Sequence, residues 1–418
     1  MSRGVVCILA LSRINDDPRA RRQGDAFWNA GWQVIAIGLP GGTSPPPVWP
    51  VAQQGGGRAK SGDYRGYSRL LRRSGRLGGY ASARIRDGAD LLAARLGGRM
   101  AFRTFWRLSV DACEIYNNAT QIDADVWLAN DWTMLPVARR LAEEKGGSYG
   151  YDTHELATEE FSDRLRWRFW KRPLVRAIER HSIGGAAVIS AVSEGIAKRL
   201  QELYSLPRLP VVIRNTPAFE NTAFRPTAAP IRVLYHGILT PGRGLEATID
   251  SVGAWRPEFN LTLRGPGDAH YVAALRRRIG EEGLADRVLL APPVPMTALV
   301  REAAAFDVGF FALPKSSRHN EFALPNKFFE YVMAGLALCV SDLPEMARLI
   351  HDYQLGVTFP NIDPEAIAAA VNALDPESVD RYKSKALAAA NELCWERESK
   401  RLVDAYRTML RRTRAPVA

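Results

Sequence analysis

Residues 320–335, Asn-Glu-Phe-Ala-Leu-Pro-Asn-Lys-Phe-Phe-Glu-Tyr-Val-Met-Ala-Gly, carry the clearest chemical pattern in the chain. An extended segment is expected to end at Leu324. Pro325 suits a first helical position, because its missing N–H is not needed there and its φ is preset. Gly335 can close the helix. Lys327 then falls in the first turn, where the helix dipole disfavours a cation. Free N–H groups at a helix start, with a Lys beside them, make an anion site. Glu330, one turn on, could hold ribose hydroxyls. The combination suggests a nucleoside diphosphate. The competing reading is an ordinary surface helix, since a misplaced exposed Lys costs only about a few tenths of a kcal/mol.

Other polar clusters fall at predicted strand ends, where α/β domains place their ligands. His236-Gly237 ends one strand, and the loop to Arg243-Gly244 precedes a helix. Glycine allows close backbone approach, and Arg243 can offer a fork of donors to a phosphate; a plain turn with a surface Arg is the alternative. Arg264-Gly265-Pro266-Gly267 ends the next strand and could equally be only a turn. Asp152-Thr153-His154-Glu155 follows a strand in the first half. A His between carboxylates there either binds a sugar or shares a proton, or is a satisfied structural His. Asn130-Asp131-Trp132 also follows a strand, where Asp131 is a ligand contact or a helix N-cap. Arg19, in Asp17-Pro18-Arg19, either faces a cleft or is solvated.

The positioning elements are α/β. Val5–Leu11, a helix from Pro18 to Ala30 and a strand at 34–37 make a βαβ opening. Residues 40–62 are Gly/Pro-rich and read as a loop, and 64–120 as mostly helical. Strands follow at 126–129, 148–153, 187–190 and 211–213, and 216–230 reads as a linker. A second series places strands at 231–235, 261–263, 288–290, 308–311, 337–340 and 357–359, with helices between and one long terminal helix over 378–413. Apolar strands alternating with amphipathic helices predict parallel sheets covered on both faces.

The 418 residues make two domains the natural expectation, and 46% apolar with 24% charged residues is ordinary for a globular chain. No run approaches the roughly 18 apolar residues of a membrane span. The apolar start runs into Arg13, Asp16 and Asp17 without an Ala-x-Ala pattern, so it reads as a strand rather than a signal peptide. Cys7, Cys113, Cys339 and Cys394 are widely spaced and read as reduced thiols of a cytoplasmic protein. The six histidines form no metal pattern. The net charge of +11 is concentrated: thirteen Lys/Arg between Arg58 and Arg107 face only Asp63, Asp87 and Asp90. With Tyr64, Tyr67, Tyr80, Phe102, Phe105 and Trp106 among them, this segment suits an anionic membrane surface. No nucleic-acid motif accompanies it, so nucleic acid is not expected as a partner.

Taken together, these residues resemble the GT-B retaining glycosyltransferases of family 4 (glycosyl transferase group 1). The resemblance rests on Asp17-Pro18-Arg19 with Ala30-Gly31-Trp32, on Ala124-Asp125-Val126 through Asn130-Asp131-Trp132, on Tyr151 to Leu156, on Val192-Ser193-Glu194 and on Val212 to Pro217. It continues through Tyr235-His236-Gly237, Arg264 to Gly267 and Pro325 to Tyr331. It implies two Rossmann-like domains around a cleft: an acceptor domain over 1–220 with a basic insertion near 58–107, a donor domain over 228–385, and a C-terminal helix over 386–418 crossing back to the first. By resemblance Glu330 matches the second Glu of an E-x7-E motif and binds ribose, His154 contacts the donor sugar near the reacting carbon, and Arg243 neutralises the diphosphate. Gly237, Arg264, Gly265, Asn326 and Lys327 complete the donor contacts, with Arg19, Asp131 and Asp152 toward the acceptor. Two positions depart from the pattern. Phe322 stands where the first Glu belongs, with Glu321 one residue off and Asn320 as an alternative, and Ile238 stands where Arg often follows the glycine.

The expected function is retaining transfer of a sugar from a nucleoside-diphosphate sugar to a saccharide or lipid-linked acceptor, in bacterial surface polysaccharide synthesis. The resemblance implies a metal-independent, front-face mechanism without a cofactor, in which the leaving diphosphate helps deprotonate the acceptor and domain closure excludes water. The enzyme would lie in the cytoplasm, peripherally at the inner face of the membrane. The alternatives are a GT-B nucleotide-sugar epimerase and a non-catalytic nucleotide-sugar-binding scaffold.

Overall fold

The computed structural model describes residues 4–53 and 97–414. Contacts divide the chain into two units: residues up to 192 with 196–213 and the chain from 399 on, and residues 193–195 with 214–398. In the first unit, β1 (Val5–Leu9), β2 (Gln33–Gly38), β3 (Val51–Gln53), β4 (Val126–Asn130), β5 (Ser148–Thr153), β6 (Val188–Ala191) and β7 (Val211–Val212) form one sheet in the order β3-β2-β1-β4-β5-β6-β7. In the second, β8 (Ile231–His236), β9 (Phe259–Arg264), β10 (Val288–Ala291), β11 (Val308–Phe311), β12 (Ala337–Ser341) and β13 (Gly356–Phe359) follow the order β10-β9-β8-β11-β12-β13. All the pairings are parallel.

Both sheets reverse their strand order beside their first strand, between β1 and β4 and between β8 and β11. Doubly wound sheets open a crevice at such a switch point. The central strands are apolar up to a polar last residue, Asn130 in β4 and Ser341 in β12, and every residue of both is buried, as a sheet covered on both faces requires.

The structure differs from the sequence reading in several elements. The segment expected as a loop over 40–62 contains β3, a short edge strand in which Val51 pairs with Ala36 and Ala52 with Ile37. Three residues are too few to show a period. Of the helical stretch expected over 64–120, helices Gly98–Leu108 and Val110–Ala119 are present, and 64–96 lies outside the described residues. The terminal helix is two helices, Pro376–Ala390 and Trp395–Arg414. Leu393 and Cys394 are buried at the break, and burying them interrupts the helical path. The last helix belongs to the first unit from residue 399, where the fully buried Tyr406 meets Phe27 edge-on at 5.3 Å.

Candidate functional site

In the second unit, the loops after β8 and β9 run side by side. Gly237 N–H donates to Arg264 O at 2.9 Å and Leu239 N–H to Pro266 O at 2.8 Å. A Cβ at Gly265, whose φ is 153°, would lie 1.9 Å from Gly237 O, so this approach requires glycine. A Cβ at Gly237 would lie 2.7 Å from Lys327 Nζ; the missing side chain is what makes room for the ammonium.

Lys327 sits in the first turn of the helix Asn326–Met333, after β11. Its Nζ lies 4.0 Å from the Tyr235 ring centroid and 4.3 Å from that of Phe311, a cation held between two aromatic faces. Burial, and then the nearby Arg243, pull its pKa down to about 7, against the pull of Glu330. Arg243 is exposed in the loop before the helix Leu245–Ser251. Neither cation pairs with a carboxylate among the described residues. Pro325 is the N-cap, one residue earlier than a first helical position, and no side chain among the described residues caps this helix start. The backbone donors at Asn326 and Lys327 therefore keep their orientation for an anion.

Glu330 follows one turn on, and its Oε2 lies 2.8 Å from His236 Nε2 at the end of β8. The Tyr331 hydroxyl accepts the His236 N–H at 3.0 Å and donates to Phe310 O at 3.2 Å, tying the ends of β8 and β11 to this helix. Gly335, with φ 69°, closes the helix: its N–H donates to Val332 O while Leu336 N–H reaches Tyr331 O.

The segment before this helix is not extended. It forms a helical turn, Arg318–Glu321, capped by Ser317, whose hydroxyl accepts from Asn320 N–H at 3.1 Å. Asn320 Nδ2 donates to Pro314 O at 2.9 Å, and Glu321 lies 3.3 Å from Lys315 Nζ. Arg264 stacks over Phe306 at 5.3 Å and reaches Glu302 at 4.0 Å, so its charge is already partly answered.

In the first unit, the ends of β1, β4 and β5 carry a denser network. Asp17 caps the helix Pro18–Asn29, accepting from the N–H groups of Arg19 and Ala20 at 2.9 and 3.0 Å. That capping aims Arg19 inward, where its Nε and Nη2 donate to Asp152 at 3.0 and 2.8 Å. Asp152 also accepts from Gln23 at 2.7 Å, from Ser190 and from His154 Nε2 at 2.9 Å. Arg19 is only 2% exposed and Asp152 not at all. Both were expected to face an acceptor; instead they form a buried bidentate pair that a solvated Arg could not make. Burial would raise the Asp152 carboxyl, but the Arg19 charge and the His154 hydrogen bond outweigh it and hold it well below the usual carboxylate range.

His154 faces two carboxylates. Its Nε2 meets Asp152, and its Nδ1 lies 3.5 Å from Asp131 Oδ2. Desolvation works against the charged ring, yet Asp131 and Asp152 raise its pKa to about 9. The imidazolium is thus the neutral-pH form, a donor rather than a base. Asp131 adopts φ 65° and accepts the His154 N–H at 3.3 Å. The helix that follows is Leu135–Lys145 with Met134 at its N-cap, so Asp131 is not a capping residue.

A pocket opens here, lined by Ser12, Asn130, Asp131, Trp132, His154 and Glu160 among others. Asn130 is 2% exposed, its Oδ1 lies 3.1 Å from His154 Nε2, and its Nδ2 has no hydrogen-bond partner among the described residues. Burial, and then the charge and hydrogen bond of Glu155, push the Glu160 carboxyl up to about 10, so it is neutral at pH 7 and can donate. Sequence reading missed Gln23 and Glu160. Gln23 lies one helical turn after Arg19, a signal that was available, whereas Glu160 reaches the pocket only through the irregular turns after β5.

Residues 230–375 match the family model described as glycosyl transferases group 1. The GDP-mannose:cellobiosyl-diphosphopolyprenol alpha-mannosyltransferase of Xanthomonas campestris is 28% identical over 259 residues, which are 60% of this chain and 64% of that protein. The protein of the same description from Xanthomonas oryzae pv. oryzae is 28% identical over 244 residues, 56% of this chain and 62% of that one. The chain therefore spans less than two thirds of the length of these curated relatives. Among solved structures, sucrose-phosphate synthase from Thermosynechococcus elongatus superposes with a TM-score of 0.72 at 15% identity, covering 98% of this chain and 99% of that one. Anabaena Alr3699/HepE in complex with UDP-glucose gives 0.67 at 12% identity, covering 97% and 100%. At such identities the likeness concerns the fold alone. The chain has the GT-B fold, and its residues 230–375 match the family model of the glycosyl transferases group 1.

Proposed function

We propose that the protein is a retaining glycosyltransferase that takes a hexosyl group, mannosyl as in its relatives' names, from a nucleoside-diphosphate sugar to a lipid-linked saccharide. One observation carries the reading: Lys327, in the first turn of its helix and with Arg243 nearby, is a half-buried cation held between the Tyr235 and Phe311 rings with no carboxylate ion-pair partner among the described residues. A diphosphate supplies the missing negative charge. Its stabilisation as a leaving group by Lys327, Arg243 and the helix amides is the main catalytic term. Glu330, held at its other edge by His236, is placed to accept ribose hydroxyls.

In the first unit, Asn130 Nδ2 and the neutral Glu160 offer donors to saccharide hydroxyls, with Asp131 as acceptor. His154 enters as a cationic donor, so deprotonation of the acceptor is left to the leaving diphosphate. No metal is invoked. Surface polysaccharide synthesis at the cytoplasmic face of the membrane is the setting that suits such an acceptor. The test is a thermal-shift and calorimetry screen of the full chain against UDP, GDP, ADP and CMP. A nucleoside diphosphate should stabilise the wild type and not Lys327→Ala. Equal stabilisation of both proteins would sink the assignment.

A further inference from the structure

Four residues beyond Glu160 on the pocket rim, the chain reads Arg164-Leu165-Arg166-Trp167-Arg168-Phe169-Trp170-Lys171-Arg172, five cations and four large apolar side chains without an acid. Residues Leu165–Trp170 form a helix with no buried residue. A helix on a globular domain normally turns its apolar stripe to the core. Here Leu165 and Phe169, one turn apart, are 65% and 58% exposed, and Trp170 is 37% exposed. Trp167 is half-buried and sits edge-on to Phe161 at 6.0 Å, which fixes the helix to the turn after His154. Arg166 and Arg168 form no ion pair among the described residues, and Arg176 and Arg180 continue the exposed charge on the next helix, Arg172–Ser182.

From this pairing of outward apolar side chains with unanswered cations, we propose that the helix Leu165–Trp170 docks the first unit on an anionic lipid bilayer. A phosphate backbone would answer the arginines but leave Leu165 and Phe169 in water. A bilayer interface answers both, since acyl chains take the apolar stripe while guanidinium groups stay at the lipid phosphates. The site is separate from the basic segment of residues 58–107, most of which lies outside the described residues. It sets the pocket rim a few residues from the surface that carries lipid-linked molecules. The inference does not depend on the reaction proposed above.

The test uses the full chain and phosphatidylcholine vesicles with or without phosphatidylglycerol. Wild type should cosediment with the anionic vesicles and detach at high salt. Arg166→Gln with Arg168→Gln should weaken binding roughly 25-fold, at about fivefold per charge removed. Leu165→Gln with Phe169→Gln should weaken it at least as much and abolish quenching of tryptophan emission by brominated lipid. These side chains are exposed, so both variants should keep the wild-type melting temperature and nucleotide stabilisation. Unchanged vesicle binding by both variants overturns the proposal. So does a retained affinity for DNA or RNA that needs only the arginines, or a loss confined to self-association in sedimentation. Loss of nucleotide binding with vesicle binding intact would count against the proposed reaction alone.

Discussion

Each unit places a cation in the first turn of a helix, where the dipole disfavours it, and the two are treated in opposite ways. Arg19 in the first unit is met by Asp152 through two hydrogen bonds, and Asp152 is met in turn by Gln23, Ser190 and His154. Lys327 in the second unit forms no ion pair among the described residues: it lies against the faces of Tyr235 and Phe311, with Arg243 adding like charge and Glu330 a weaker opposing pull. A neutralised buried network holds its geometry whether or not a ligand is present. A desolvated cation without a counter-charge stores unfavourable energy that a diphosphate relieves. The first unit is therefore preorganised, and the second is complementary to something that must arrive.

This contrast can be broken by substitution. Asp152→Ala should cost about 3–5 kcal/mol of stability, because it leaves Arg19 buried without its partner; chemical denaturation measures this. Lys327→Met should do the reverse. It removes an uncompensated charge, so melting temperature should hold or rise while kcat/KM falls about 100- to 1000-fold. If Lys327→Met unfolds the protein as Asp152→Ala does, the contrast is wrong. Arg243→Ala and Glu330→Ala should likewise remove donor turnover in a folded protein, with Arg243→Ala acting on the diphosphate.

Two pH profiles sharpen it. An anion binds the protonated Lys327, whose pKa is about 7, so affinity for a nucleoside diphosphate should fall as pH rises through 7, by at most about tenfold per unit, and flatten in Lys327→Met. His154 runs from 6.5 unfolded to about 9 folded. The folded state binds the extra proton in that window, so this contribution to stability is complete below 6.5 and is lost as pH rises through 9; His154→Gln should shrink the slope in denaturant titrations. The smallest effect concerns Glu321, whose partner Lys315 is 63% exposed. Glu321→Gln should change stability by only about 0–1 kcal/mol, so a large loss of turnover would place this carboxylate at the reacting sugar despite its register.

Much of the second unit was legible in sequence because its signals are local. A proline, a lysine, a glutamate and a closing glycine within eleven residues describe one helix start and its end, and the structure moves that start by a single residue. The strands were legible because parallel strands buried on both faces are apolar runs, as in β12 up to its last residue. Glu321 was harder. The turn Arg318–Glu321 depends on a Ser317 cap and on Asn320 reaching back to Pro314, which an extended reading does not anticipate.

The sequence alone determined the two alternating α/β series, the glycine-dependent loops and the types of residue at the strand ends, because these depend on neighbours a few positions apart. Only the tertiary structure decided what those residues do to one another. Asp152 lies 133 positions from Arg19 and becomes its ion-pair partner because the sheet order sets β4 beside β1 and β5 beside β4. Lys327 becomes a desolvated cation because β8 and β11, adjacent in the second sheet, bring Tyr235 and Phe311 around it. Charge, burial and pKa belong to those distant pairings.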